Sequence, residues 1–459
     1  MKKGKEIELS IEKLAYGGKG IGRFDNQVIF VEGGVPGDKV RVKIRKIRNQ
    51  YAEARIVDLI EGSPLRQPAA CQHFGNCGGC KWQHLDYQQQ LYFKREHVIE
   101  SIEHIAGVKT GLVHPTLPSP LIFGYRNKME FSFTGNRWLV PEELSDPDIK
   151  KEFGLGLHIP GSFDRVIHIQ KCWLQDNTMN IILNFCQDYF KKSGLSIFHL
   201  KTHEGLLRFL VLRKSFASNN YMVNIVTFQK ATELSGDFSK KLTKKFASVT
   251  SVINTVNPKF AQIAFGEEEY LLYGQRSLLE KIDNYEFEIS ANSFFQTNPM
   301  QAENLYKIVQ KYVGTTNNMI WDLYTGTGII ALFLAQQSKN VIGFEIVSGA
   351  VKDAYENCRK NGITNCRFVE GDIRKNLAGF HDHPDVIVCD PPRSGMHPEV
   401  IEMMIKIRPP KIVYVSCNPT TMARDIKPLL HYYNLKEIQP VDMFPHTYHI
   451  ESVAKLERK

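Results

Sequence analysis

Between Met319 and Cys417, apolar strand-like runs alternate with helix-like segments, and no other property of the chain restricts its architecture as much. Met319 to Tyr324 reads as a strand, Thr325-Gly326-Thr327-Gly328 as a loop, and Ile329 to Gln337 as a helix. Val341 to Glu345, a helix near Gly349 to Asn361, Cys366 to Val369 ending at Gly371-Asp372, Asp385 to Asp390, and Lys411 to Cys417 continue the pattern. Parallel strands need a crossover connection, usually a helix, so this alternation predicts a doubly wound parallel sheet. Such sheets bind ligands outside the carboxyl ends of their strands, which makes the strand-ending residues the first candidates for chemistry.

The preceding stretches differ in kind. Residues 1–61 read as short strands broken by Gly-rich turns, a pattern that suggests a small all-β barrel. In Lys39-Val40-Arg41-Val42-Lys43-Ile44-Arg45 cations and aliphatics alternate, which puts one positive row outward and one apolar row inward. Residues 1–70 hold 14 Lys/Arg against 9 Asp/Glu, so much of the +9 net charge is local, and a polyanion such as nucleic acid is the expected partner. An ordinary solvated strand face is the alternative. Gln83 to Ala106 predicts a helix, and His114 to Pro120 a linker. Alternating runs at Tyr125 to Phe133, Leu206 to Leu212 and Tyr221 to Phe228 predict a mostly antiparallel α+β middle domain. The domain boundaries expected from these shifts are 1–61, 62–285 and 286–459.

Nine cysteines behind an amino terminus without an apolar h-region argue against a disulfide framework and for a cytoplasmic chain with no membrane span. Cys71, Cys77 and Cys80 fall within ten residues, among Gly75, Gly78 and Gly79. Thiolates converging on one point repel unless a metal neutralises them, and Cys172 is the nearest downstream candidate for a fourth ligand. Three local cysteines plus a remote one suit a cubane iron–sulfur cluster; zinc is the alternative. The spacing is not that of radical enzymes.

At the sheet edge, Gly326-x-Gly328 lets the backbone approach a nucleotide-like ligand, and Glu345 can accept both ribose hydroxyls. The third fingerprint glycine of dinucleotide sites is replaced by Ala331, which favours S-adenosylmethionine over NAD. Asp372 falls where an acid could meet adenine. Asp390-Pro391-Pro392 is followed by Arg393 rather than by an aromatic that would stack on a base, which argues against an exocyclic amine as the methyl acceptor. Carbon 5 of uracil is a weak nucleophile unless a thiolate first adds at carbon 6. Cys417, at the end of an apolar β-branched run, can supply that thiolate, although most cysteines are core filler. The carbon 5 proton must then be taken by a base, for which Glu451 is the candidate against the plainer reading of a solvated edge carboxylate.

These motifs, together with Ser293-Phe294-Phe295-Gln296-Thr297-Asn298 and His449-Ile450-Glu451, resemble the RNA 5-methyluridine methyltransferases of the RumA and TrmA type over nearly the whole chain. The resemblance is strongest to the branch that methylates 23S ribosomal RNA. It implies an N-terminal OB-like TRAM barrel, a middle domain whose [4Fe-4S] cluster is held by Cys71, Cys77, Cys80 and Cys172, and a Rossmann-like class I methyltransferase domain. It further implies that Gln296, Tyr324, Glu345 and Asp390 contact S-adenosylmethionine or lie between it and the base, with Cys417 as nucleophile and Glu451 as proton acceptor. Ile329 stands where the family often has Asn, so no cofactor contact is assigned there. The expectation is a monomeric enzyme acting on ribosomal RNA. Transfer RNA, or a non-catalytic RNA-binding role, are the alternatives.

Overall fold

The alternation at Lys39–Ile47 becomes a barrel strand whose Val40, Val42 and Ile44 are buried. The structure is a computed structural model that describes residues 1–459 except 110, 316, 380 and 381. It comprises two units, Met1–Pro68 with Lys81–Pro120 and Met300–Lys459, and Ala69–Cys80 with Leu121–Pro299. The 62–285 stretch read from sequence as one middle domain is therefore divided, with Lys81–Pro120 grouped with the first and last parts of the chain.

In the first unit, β1 (Glu6–Leu14), β2 (Gly20–Phe24), β3 (Gln27–Glu32), β4 (Lys39–Ile47) and β5 (Tyr51–Glu61) form a closed barrel ordered β1-β2-β3-β5-β4. Its core is aliphatic, with Ile29, Val31, Val40, Val42 and Ala52 fully buried. The outward cations of β4 do not stand alone. Arg41 pairs with Glu8 at 3.1 Å and Asp58 at 3.6 Å, and Lys43 with Glu6 at 3.7 Å, so strands on both sides answer this row with acids. Sequence alternation within one strand could not reveal that pairing.

Helix α1 (Tyr87–Ser101) starts four residues later than the apolar spacing predicts. Asp86 caps it by accepting from the Gln88 and Gln89 N–H groups, while Trp82 and Leu85 instead bury against Leu14 and Val35 of the barrel. A π-helical turn, Ile102–Ala106, ends it at Gly107, whose φ of 77° is the left-handed conformation that favours glycine. The expected linker is not a free connection, because the His114 and Leu117 N–H groups donate to the Ile438 and Pro440 carbonyls at 2.9 Å each.

In the second unit, β6 (Lys128–Thr134), β7 (Gly154–His158), β8 (Val166–His168), β9 (Leu207–Lys214), β10 (Tyr221–Thr227), β11 (Val249–Val256) and β12 (Glu268–Gly274) form one sheet ordered β12-β11-β10-β9-β6-β7-β8. Only the β10–β11 pair is parallel. Helices α2 (Asn177–Lys192) and α3 (Asp237–Lys245) and the hairpin β13 (Ser277–Ile282) and β14 (Tyr285–Ser290) complete the unit.

The chain then returns to the first unit through α4 (Pro299–Val313) and builds the doubly wound sheet. Its strands are β15 (Asn317–Leu323), β16 (Ser338–Glu345), β17 (Cys366–Glu370), β18 (Val386–Cys389), β19 (Lys411–Ser416), β20 (Tyr433–Val441) and β21 (Glu451–Arg458). Between them run α5 (Ile329–Leu334), α6 (Ser348–Lys360), α7 (Ile373–Gly379), α8 (Pro398–Ile407) and α9 (Pro419–Leu429). The order β17-β16-β15-β18-β19-β21-β20 reverses direction between β15 and β18, the switch point where such sheets open a crevice. The first five strands in that order run parallel, and β21 lies antiparallel between β19 and β20.

Candidate active site

The switch point collects the strand ends. Tyr324 follows β15 with a φ of 65°, a conformation that costs a non-glycine residue energy and marks a turn held by its surroundings. Gly326 and Gly328 also have positive φ, and a Cβ on Gly328 would lie 2.9 Å from the Ala354 Cβ. At Gly326 an added Cβ would meet nothing within 4 Å, so this side of the loop is open to a ligand. Glu345, ending β16, accepts the Gly326 N–H at 3.0 Å on one oxygen and the Val347 N–H at 2.8 Å on the other. Each oxygen keeps a lone pair for a further donor, as a ribose diol would require. Asp372, beyond β17, is bound to Arg374 and to its backbone N–H, which hold its carboxyl down at about 2.

Beneath the loop, Asp322 is fully buried and accepts from the Thr325 hydroxyl at 2.5 Å. Burial, helped by the charge of Asp390, pushes its carboxyl up to about 7. Asp390, after β18, keeps a partly accessible surface but is otherwise enclosed, and burial pushes it up to about 6.

Cys417 and Glu451 meet through sheet register. Ser416 of β19 pairs with Ser452 of β21, so Cys417, the first residue past β19, and Glu451, the first residue of β21, come together at the same end of the strand pair. The Cys417 thiol is half-buried; burial, then the charges of Glu451 and Asp390, push it up to about 11, and Arg393 pulls the other way. Glu451 is 6% exposed, and burial, reinforced by Asp390, raises its carboxyl well above the usual range, with Arg393 again opposing. Burial thus disfavours the charged form of both groups, and Arg393 is the cation that acts on both in the opposite sense.

The loop that leads to Glu451 is clasped by polar side chains of α1. Lys94, fully buried, pairs with the buried Asp442 at 2.5 Å and donates to the Phe444 carbonyl at 3.1 Å. Tyr87 donates to the other Asp442 oxygen at 3.0 Å, and Gln90 accepts the His446 N–H at 2.8 Å. Apolar periodicity could not find these residues, because they lie on the buried face where aliphatics are expected. Asp442 and His446 in the same loop were equally silent in sequence.

Of the remaining candidates, Gln296 lies in the second unit, in the loop after β14, where its carbonyl accepts from the Asn127 side chain at 3.1 Å. Phe294, two residues earlier, is 70% exposed. Cys71, Cys77, Cys80 and Cys172 share the second unit, and the Cys77 thiol feels those of Cys172, Cys80 and Cys71. The Gly79 N–H donates to the Cys77 sulfur at 3.4 Å, and the His73 and Leu174 N–H groups point at the Cys71 and Cys172 sulfurs. The buried Arg126 guanidinium acts on Cys172 and Cys80. Burial nonetheless pushes the Cys71, Cys77 and Cys172 thiols up, Cys77 to about 12, and among the described residues no three His, Cys, Asp or Glu side chains converge tightly enough to hold a metal ion.

The sequence profile of the tRNA (uracil-5-)-methyltransferase family matches residues 214–459, more than half of the chain. The chain belongs to that family. A TRAM domain profile matches residues 1–57, the closed barrel. Similar relatives include an RNA methyltransferase of Bacteroides thetaiotaomicron, 40% identical over 97% of this chain and all of that one. Another, from Chlorobaculum tepidum, is 41% identical over the whole chain and 97% of its own. Among solved structures, a Pyrococcus abyssi tRNA (uracil-54, C5)-methyltransferase in complex with S-adenosyl-L-homocysteine superimposes with a TM-score of 0.76. It is 29% identical and covers 98% of this chain and all of that one. This member of the uracil-5 methyltransferase family is thus an RNA-methylating enzyme with a TRAM barrel. Among its described residues no helix is long and apolar enough to cross a membrane.

Proposed function

We propose that this enzyme makes 5-methyluridine in RNA through a covalent bond between Cys417 and uracil carbon 6. The observation that carries the reading is the register that sets a thiol and a buried carboxyl, Cys417 and Glu451, at one sheet edge beside Arg393. Glu345 and the open Gly326 loop fit the ribose and backbone-approach needs of S-adenosylmethionine, and the Pyrococcus relative was solved with its demethylated product. When bound there, that cofactor supplies an electrophilic methyl group.

This chain's own residues do the rest. The target uridine must leave its stack, since carbon 6 is unreachable inside one. The Cys417 thiolate bonds to carbon 6, and the displaced π electrons make carbon 5 nucleophilic towards the methyl group. Glu451, as its carboxylate, takes the carbon 5 proton; the burial that raises its pKa makes that carboxylate a better acceptor. The electrons of that C–H bond restore the ring double bond and expel Cys417 as thiolate.

Ribosomal RNA is the substrate class in this reading. Transfer RNA is the second reading, favoured by the tRNA specificity named for the Pyrococcus structure. The four thiols and the N–H groups aimed at them support a [4Fe-4S] cluster in the second unit, with a structural or RNA-positioning role because no step above moves a single electron. The deciding experiment offers 5-fluorouridine RNA and S-adenosylmethionine to native chain and to Cys417→Ala. A cofactor-dependent, denaturant-stable adduct with the native chain alone supports the reading, and methylation by the Ala variant at native rate overturns it.

A further inference from the structure

The barrel reaches the reactive cysteine. A tight turn closed by the Ala15 N–H to the Lys19 carbonyl at 2.8 Å, and the Gly18 N–H to the Ala15 carbonyl at 3.0 Å, projects Tyr16 away from the barrel. The Tyr16 ring is held between two others, edge-on to His97 of α1 at 5.9 Å and edge-on to Tyr448 at 5.8 Å. Approach is close on this side. Gly18 has a φ of 87°, and a Cβ there would come within 3.1 Å of the Tyr448 ring. Tyr448 in turn lies 4.2 Å from His449, centroid to centroid, and the His449 Nδ1 is 3.2 Å from an Arg393 guanidinium nitrogen. Contacts thus run without a break from the barrel turn to Arg393.

The backbone of Arg393 is fixed independently. Its carbonyl accepts from the Asn418 side chain at 3.2 Å, next to the nucleophile, and the neighbouring Ser394 carbonyl accepts from Arg424 at 2.9 Å. With its main chain anchored, the side chain has several bonds about which to swing, and Arg393 as a whole is exposed. What decides where it points is the aromatic wall. The Tyr16 hydroxyl is buried, completes no hydrogen bond of standard geometry, and faces this guanidinium. Tyr448 faces it too.

We propose that Tyr16 is a positioning residue: the barrel, besides its RNA surface, holds the Arg393 cation against Cys417 and so sets how readily the thiolate forms. This rests on Cys417 being the nucleophile. The charged and titratable groups facing the thiol are Glu451 and Asp390, which disfavour its ionisation, and Arg393, which favours it; Tyr16 also faces the thiol directly. Around Tyr16 itself stand His97, whose imidazole burial makes harder to charge, Tyr448 and Arg393. Among these, only Arg393 is a cation that the aromatic wall can turn towards or away from the sulfur. Its loss or drift leaves two carboxyls unopposed.

The test alkylates the free, full-length enzyme with iodoacetamide between about pH 7 and about pH 10 and follows the Cys417 peptide by mass spectrometry. Tyr16→Phe, which removes one oxygen and keeps the ring, should melt like the native chain. It should slow Cys417 alkylation near pH 8 by about three- to tenfold, displacing its pH profile to the alkaline side. Arg393→Gln should do at least as much, and Tyr16→Phe added to Arg393→Gln should change nothing further, because the tyrosine acts through the arginine. A Tyr16→Phe profile that superimposes on the native one, or an effect that adds in full to that of Arg393→Gln, overturns the proposal. Neither result depends on RNA, so failure here is distinct from failure of the covalent mechanism, which Cys417→Ala tests by methyl transfer.

Discussion

Cys417 and Glu451 stand opposite each other, one residue beyond the Ser416–Ser452 pair of two antiparallel strands. A thiol and a buried carboxyl are thereby placed by sheet register. A slip of one residue between β19 and β21 would turn the carboxyl to the other face of the sheet.

On the proposed mechanism, in which Glu451 accepts the proton and Cys417 is the nucleophile, Glu451→Gln removes the first and leaves the second. Cys417 should still add to uracil and the ring still gain its methyl group, but the carbon 5 proton cannot leave. On a denaturing gel this variant should accumulate an RNA adduct with ordinary uridine RNA, and multiple turnover should fall by about a hundredfold or more.

Glu345→Ala should weaken cofactor binding selectively. The carboxylate organises the Gly326 and Val347 N–H groups and retains capacity for ribose hydroxyls. A loss of about 1.4–2.8 kcal/mol corresponds to a tenfold to hundredfold rise in the dissociation constant for S-adenosylmethionine, measured by calorimetry. The KM for RNA should change little.

If the four thiols hold a cubane cluster, anaerobically purified enzyme should be brown and carry about four irons per chain. Cys172→Ala should lose most of that iron. Cys186→Ala, which removes a buried thiol elsewhere in the same unit, should keep it.

Asp322 makes stability depend on pH in a defined direction. Its folded-state pKa, about 7, lies above its value in an unfolded chain, so the native state binds the proton more tightly. That contribution is fully present below about pH 4 and is lost as pH rises through about 7. Asp322→Asn, which cannot ionise, should flatten the decline in melting temperature across this window, by an amount equivalent to a few kcal/mol.

Lys94→Met should be strongly destabilising, by about 3–5 kcal/mol in denaturant titrations, because it leaves Asp442 charged and buried without its partner. The double variant Lys94→Met, Asp442→Leu should recover much of that loss.

The residues that end strands were legible in sequence because β-branched runs announce a buried strand and a Gly, Pro or acid announces its end. This holds for Tyr324, Glu345, Asp390 and Cys417, whose elements fall where the alternation puts them. Lys94 and Gln90 were not legible, since a helix that buries polar side chains against another loop has no apolar stripe to betray it. Tyr16 was hidden differently: in sequence it is one aromatic beside a glycine turn, and its neighbours Arg393 and Tyr448 lie hundreds of residues away. The acids opposite the β4 cations sit on other strands, and only the barrel's closure brings them together.

The position of β21 between β19 and β20 carries a consequence for biogenesis. Without β21 in place, those two strands would face each other across a vacant slot about 10 Å wide, each with an unpaired row of backbone donors and acceptors. A nascent or prematurely stopped chain would thus lack more than one carboxyl group. It would present two adhesive edges to its surroundings, and the same insertion that seals them also brings Glu451 to Cys417.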